Sequence, residues 1–297
     1  MAKQFTTKLT ARDYEILQSL DQFPLTPNQL CKLSQSFAMP FQDVHAVRRR
    51  LRKLAGIELV RKYPYAVASF GSSPAYYKLT RAGYRVLHGP DAALPKRRYF
   101  DSIGQARHPH TRALVDLLVH LFVSVQNTGD RIQHYAREND VSLETTVGVL
   151  RPDAAFQIVS QDQVYNFVVE LDNGTERVRS RVNTESIERK IKGYDSHSRG
   201  LDAFDSKRYV VLFVTTRSTE RLKHMMAAAS VLVKNPNRRL FLGATLGNLL
   251  GQSDPMRDAC FLSPQFRYES AIPVKRNRRK LQPKERADLL PPTPAFC

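Results

Sequence analysis

The chain has 297 residues, enough for about two domains, and its 42% hydrophobic and 25% charged content is that of a globular protein able to bury real cores. Lys and Arg number 46 against 28 Asp and Glu, a formal charge of +18, which favours a polyanionic partner: nucleic acid before an anionic membrane. No apolar run is long enough to span a bilayer, no apolar leader follows Met1, and three distant cysteines (Cys31, Cys260, Cys297) argue against a disulfide framework, so a cytoplasmic protein with no membrane partner is expected.

Thr10 is the expected N-cap of a first amphipathic helix carrying Tyr14, Ile16, Leu17 and Leu20, interrupted by Pro24. Thr26-Pro27 opens a second short helix with Leu30 and Leu33 as its apolar pair. A third helix is expected over 41–55. Its Val44, Val47, Leu51 and Leu54 recur at spacings of three and four and form one stripe. Arg48, Arg49, Arg50, Arg52 and Lys53 fill most of the remainder. Strands are expected at 57–63 and 75–79, around a Gly71-Ser72-Ser73-Pro74 turn, and then a short helix from Thr80 with Tyr84, Val86 and Leu87. Three helices followed by a β-ribbon is the order of a winged helix-turn-helix, whose third helix enters the major groove and whose inter-strand loop is the wing. Arg48, Arg49, Arg52 and Lys53 are therefore the DNA-binding candidates, with duplex DNA as the expected partner. The competing readings are a solvated helix face and a protein-binding surface.

Gly89, Pro90, Pro95 and Gly104 with scattered charge make 89–107 a linker between a first domain at 1–88 and a second at 108–262. A long apolar helix over 110–125 buries Leu114, Leu117, Leu118, Leu121 and Phe122, and His110 lies on the same face as Leu114. Strands are expected at 131–136, 145–149, 154–159 and 165–171, a helix at 184–197, a strand buried on both faces at 209–215, a helix at 221–234 and a strand at 240–245. That order is an α/β core with a mixed sheet. From 263 to 297 the chain reads as a tail, strongly basic from Ala271 on and Pro-rich at its end, expected to be disordered and to act as an electrostatic arm.

The chemistry concentrates in 151–194. Arg151-Pro152-Asp153 precedes one apolar strand, and Glu170 and Asp172 close the next. Residues i and i+2 share a strand face, so Glu170 and Asp172 converge with Asp153 if the strands pair as a hairpin. Carboxylates gathered at neighbouring strand ends suit a hard divalent cation that keeps part of its water, which metal-assisted phosphodiester hydrolysis requires. The same residue types are common at strand ends and turns for local reasons. On the following helix Ile187, Ile191 and Tyr194 share a face, Lys190 borders it, and Lys192 lies roughly opposite.

Two resemblances rest on these residues. The core order with Pro152-Asp153 and then Glu170-x-Asp172 resembles the PD-(D/E)XK restriction-endonuclease-like fold. The wider run, from the winged helix through Asp153, Val169-Glu170-Leu171-Asp172-x-Gly174-Thr175-Glu176 and Lys190-x-x-x-Tyr194, resembles the replication-relaxation family of plasmids and other bacterial mobile elements, over about residues 8–245. By the family pattern Asp153 and Glu170 hold the metal, Mg²⁺ or Mn²⁺. The usual motif ends in Lys, whose place here is taken by Asp172, a possible extra ligand. Some members of the wider fold supply that lysine from the next helix, which makes Lys190 the candidate replacement; the alternative is a lysine snorkelling at the edge of a core face. His110, Glu176 and Tyr194 are secondary candidates.

The expectation is a DNA-binding protein with a winged helix-turn-helix followed by a nuclease-like mixed-sheet α/β domain. Its catalytic set would be Asp153, Glu170 and Lys190, it would nick or cleave DNA with Mg²⁺ or Mn²⁺, and replication or transfer proteins are possible partners. The alternative is a noncatalytic accessory or regulatory protein with an inactive nuclease fold. Phosphate-directed charge does not separate DNA from RNA.

Overall fold

The computed structural model describes residues 9–66, 74–138, 140–175, 178, 186–202 and 205–273. The N-terminal unit comprises α1 (Ala11–Gln22), α2 (Pro27–Leu33), α3 (Val44–Gly56), β1 (Val60–Pro64), β2 (Ala75–Leu79) and α4 (Arg81–His88). Caps set the helix starts: Thr26 and Gln29 form a capping box around Pro27, and the Asp43 carboxylate accepts from Ala46 N, starting α3 at Val44, the first residue of the apolar stripe, three residues after the expected start at 41. Val47, Leu51 and Leu54 are buried and turn α3 onto the core. β1 and β2 pair antiparallel, Val60 opposite Leu79. The Gly71-Ser72-Ser73 part of the expected turn lies outside the described residues.

Residues 89–107 do more than link. Tyr99 donates its hydroxyl to Asp21, Tyr63 to Phe100 O, and Tyr76 accepts from Ile103 N, so this segment lies packed along the first unit.

The second unit begins with α5 (His108–Asn127) and continues through β3 (Arg131–Arg137), β4 (Leu143–Thr145), β5 (Gly148–Leu150), β6 (Ala154–Ser160) and β7 (Gln163–Asp172). Then come α6 (Ile187–Arg199), β8 (Tyr209–Thr215), α7 (Thr219–Leu232), β9 (Phe241–Thr245), α8 (Leu246–Gly251), β10 (Phe261–Leu262) and β11 (Tyr268–Glu269). The strand expected at 145–149 is instead the β4–β5 hairpin. The Thr145 hydroxyl accepts from Val147 N and donates to Gly148 O, and Gly148 has φ 105°, so the chain reverses where one extended strand was expected.

Seven strands form one mixed sheet in the order β11-β10-β9-β8-β7-β6-β3. β3, β6 and β7 are antiparallel neighbours, whereas β7, β8 and β9 run parallel. α5 covers one face with Leu114, Leu117, Leu118 and Leu121 against Val169, Leu171, Leu212 and Val214. α6 and α7 cover the other with Ile187, Ile191, Tyr194, Met225 and Met226 against Val168, Val211 and Phe213. The expected tail does not begin at 263: β11 is an edge strand, and Ala271 and Ile272 are buried, while 274–297 lie outside the described residues.

The two units share a core. Phe23 packs edge-on against Phe122, with ring centroids 5.4 Å apart, and Gln29 Nε2 donates to Asp116 Oδ1 at 2.8 Å. Among the described residues no helix is long and apolar enough to cross a membrane.

Candidate functional site

The β6–β7 hairpin turns at Gln161 and Asp162, both with positive φ, which is the left-handed pair that a two-residue hairpin loop demands. The tight turn fixes the register Ala154↔Val169, and one step beyond it Asp153 stands beside Glu170. Asp153 N donates to Val169 O at 3.1 Å, and Asp153 Oδ2 accepts from Leu171 N at 2.7 Å. Its other oxygen meets His110 Nε2 at 3.0 Å, so the first turn of α5 reaches the mouth of the hairpin.

Glu170 is 3% exposed. Lys190 Nζ lies 2.9 Å from its Oε2, and the Tyr194 hydroxyl donates to its Oε1. Both partners come from α6, started by Ser186, whose hydroxyl accepts from Arg189 N. Lys190 borders the buried stripe, whereas Lys192 is exposed, as the helical spacing requires. Sequence spacing thus places the side chains of Asp153, Glu170, Lys190 and Tyr194 in one cluster, and His110 joins them.

Burial pushes the Glu170 carboxyl up to about 7, and the Asp153 charge adds to the rise, against the downward pull of Lys190 and of the Tyr194 hydrogen bond. Burial and Glu170 raise Tyr194 well above the usual phenol range, so it serves as a neutral donor. Burial alone would depress the His110 imidazolium, but the Asp153 hydrogen bond and charge, with Glu138, outweigh it and raise its pKa.

Asp172, expected as a further metal ligand, is turned to other partners. Arg221 at the start of α7 grips it with Nε–Oδ2 at 2.6 Å and Nη2–Oδ1 at 2.7 Å. Thr215 Oγ1 donates to Oδ2 at 2.7 Å and Gly174 N to Oδ1 at 3.0 Å. Burial would raise this carboxyl, but Arg221, Thr215 and Gly174 hold it below its ordinary value. Gly174 has φ 75°, and a Cβ there would lie 2.6 Å from Arg217 Nε, so the loop after Asp172 needs glycine for both backbone and space. No local sequence pattern marks Arg217, Arg221 and Thr215, because they meet Asp172 and its loop across more than 40 residues of chain. Glu176 lies outside the described residues.

Among the described residues no group of three or more His, Cys, Asp or Glu side chains is placed to hold a metal ion. The carboxylates of the cluster are Asp153, bonded by Leu171 N and His110, and Glu170, bonded by Lys190 and Tyr194, so a cation would take the place of some of these contacts. Two carboxylates fit Mg²⁺ or Mn²⁺, which bind through one or two such groups and keep several waters.

In the N-terminal unit, Arg48, Arg49, Arg52 and Lys53 are exposed on α3. Arg50 is not part of that surface: its guanidinium pairs with the buried Asp13 of α1 and bonds Thr10. Arg48 and Arg52 line a groove of about 990 Å³ between α3 and α5.

The sequence model of a family described as replication-relaxation matches residues 24–210. This chain belongs to the replication-relaxation family. The replication-relaxation match takes in the basic helix α3, the His110–Asp153 contact and the Glu170–Lys190–Tyr194 cluster, and it ends at the start of β8. Asp172 lies inside it and Arg221 outside it. Membership of the replication-relaxation family points to the replication or transfer of a plasmid or other mobile element. Comparison with curated proteins and with solved structures gives no match.

Proposed function

We propose that this chain binds DNA through a winged helix-turn-helix at its N-terminus and cleaves or nicks a phosphodiester bond in a PD-(D/E)XK-like second unit, in the replication or transfer of a mobile element. The observation that carries the reading is the Asp153–Glu170–Lys190 cluster at the mouth of a hairpin, with the lysine 2.9 Å from one carboxylate. Asp153 and Glu170 would hold Mg²⁺ or Mn²⁺, which when bound supplies charge stabilisation to the phosphate and lowers the pKa of water. Lys190 would stand in for the motif lysine of this fold: 2.9 Å from Glu170 Oε2, it offsets carboxylate charge and could reach a water beside Glu170. Tyr194 pins the Glu170 oxygen it bonds, and His110 does the same for Asp153. In the first unit, exposed α3 arginines beside a β-ribbon, together with the formal charge of +18, support duplex DNA as the partner.

The second reading is a noncatalytic accessory or regulatory protein that keeps the fold and the DNA surface. It is favoured by Asp172, which stands at the motif lysine's place and is fully engaged by Arg221, Thr215 and Gly174. One assay separates the readings: purified protein, supercoiled plasmid and Mg²⁺ or Mn²⁺, beside Asp153→Ala and Lys190→Met. Nicking by the parent chain that both variants abolish, with DNA binding retained, supports cleavage. Equal traces of nicking in all three would leave only the binding role.

A further inference from the structure

The groove between α3 and α5 has a one-sided charge to which α2, α3, β1 and α5 all contribute. Lys32 of α2, His45, Arg48 and Arg52 of α3, Lys62 of β1 and Arg112 of α5 all line it. Among the described residues the one lining carboxylate, Asp116, accepts a hydrogen bond from Gln29 Nε2 at 2.8 Å. Thr26, Pro27 and Gln29 of α2 with Ala75 and Tyr77 of β2 also line it, between the α3 wall and the α5 wall of Arg112, Asp116 and Val119. Both units therefore contribute cations to one concavity.

Its shape selects among nucleic acids. A helix with its side chains is about 10–12 Å across and fills a major groove about 12 Å wide. A helix edge that enters a duplex must therefore stand clear of its own protein. The edge of α3 carrying Arg48 and Arg52 instead shares the groove with Arg112 of α5, so a duplex docked on that edge would have to accommodate α5 as well. Arg49 and Lys53 are exposed on α3 without lining the groove, and they remain available to a duplex. A single strand has no second backbone to accommodate and fits a cationic trough. The exposed His45 ring at the groove offers a face on which a base can stack.

We propose that the α3–α5 groove binds a single-stranded DNA segment, with Arg48 and Arg52 on one wall, Arg112 on the other and Lys62 on the β-ribbon. The proposal rests on the reading of this chain as a DNA-binding protein and assigns the strand state that this part of its surface takes.

The test is fluorescence anisotropy on the full chain. The probes are a labelled thymidine homopolymer of about 20 nucleotides and a mixed-sequence duplex of the same length. Lys62→Ala/Arg112→Ala alters the groove outside α3, and Arg49→Ala/Lys53→Ala alters the outer edge of α3. The groove variant is expected to weaken single-strand binding about tenfold or more and to reduce its log–log salt slope by about 1.4, two contacts at about 0.7 each, while duplex affinity stays within about twofold. The outer-edge variant is expected to weaken duplex binding and to spare the single strand. Unchanged single-strand affinity and slope in the groove variant would overturn the groove assignment, and a loss in the outer-edge variant would still leave the DNA-binding reading standing. Equal weakening of both probes by the groove variant would overturn the strand selectivity. Failure of every variant to affect either probe would remove both readings. Matching thermal midpoints confirm that each variant is folded; if the double variant is not, Lys62→Gln and Arg112→Gln tested singly carry the same expectation at half the slope change.

Discussion

Replacing Glu170 by Gln tests the physical core of the candidate site without assuming catalysis. The Glu170 carboxyl is pushed up to about 7 by burial, with Asp153 adding to it, whereas an unfolded chain releases that proton near about 4.3. Between these values the folded state holds a proton that the unfolded state has lost. Stability therefore falls as pH rises through this window and is lowest above it. A tenfold change in proton affinity between the two states is worth about 1.4 kcal/mol, so the ionised side chain costs the fold on the order of 3 kcal/mol at pH ~8 relative to pH ~4. Gln is a neutral stand-in for the protonated acid and does not titrate. Stability of Glu170→Gln relative to the parent should thus rise by about 3 kcal/mol across the window, or roughly 6–12 °C in thermal midpoint. Melting curves by circular dichroism at pH ~4.5, 6 and 8 in chelator measure it. Lys190→Met, which removes the main downward influence on Glu170, should move the window to higher pH. Parent and Glu170→Gln midpoints that run parallel across the range would refute the argument that Glu170 is desolvated and destabilised by its charge.

Arg50→Ala should lower stability by roughly 3 kcal/mol, because it strands the buried Asp13 carboxylate without its cation. Arg48→Ala, on the exposed side of the same helix, should stay within about 0.5 kcal/mol; chemical denaturation of the pair reads the contrast. Gly83→Ala should destabilise by about 1–3 kcal/mol although Ala is the better helix former by about 1 kcal/mol, since the new Cβ would lie 2.1 Å from the Leu59 carbonyl oxygen. A gain in thermal midpoint would show that α4 can move away from that carbonyl. Removing residues 271–297 should cost about 2 kcal/mol more than removing 274–297, because only the longer deletion takes away the buried Ala271 and Ile272. Equal midpoints for the two truncations would place those side chains outside the cooperative core.

Local periodicity was enough for much of this chain. The three-and-four spacing of Val47, Leu51 and Leu54 fixes which side of α3 is buried, and the same rule puts Ile187, Ile191 and Tyr194 inward with Lys190 at the margin. Strand alternation and a tight turn bring Asp153 beside Glu170, because a two-residue hairpin loop leaves the register little freedom. These are short-range constraints that backbone geometry imposes on neighbouring residues. What only the tertiary structure decided are the partners brought from far along the chain. Asp172 carries the same chemistry as Asp153 and sits two residues from Glu170, yet its charge belongs to Arg221, 49 residues on, because the parallel β7–β8 pairing carries the following helix over that strand end. Arg50 and Arg48 are indistinguishable in composition, and only the packing of α3 on α1 commits one to Asp13 and leaves the other to line the groove shared with α5. The linker and the start of the tail lack apolar periodicity because they form no long helix or strand. Single side chains such as Tyr99 and Ile272 anchor them, and a contact of that kind exists only once the surface that receives it has folded.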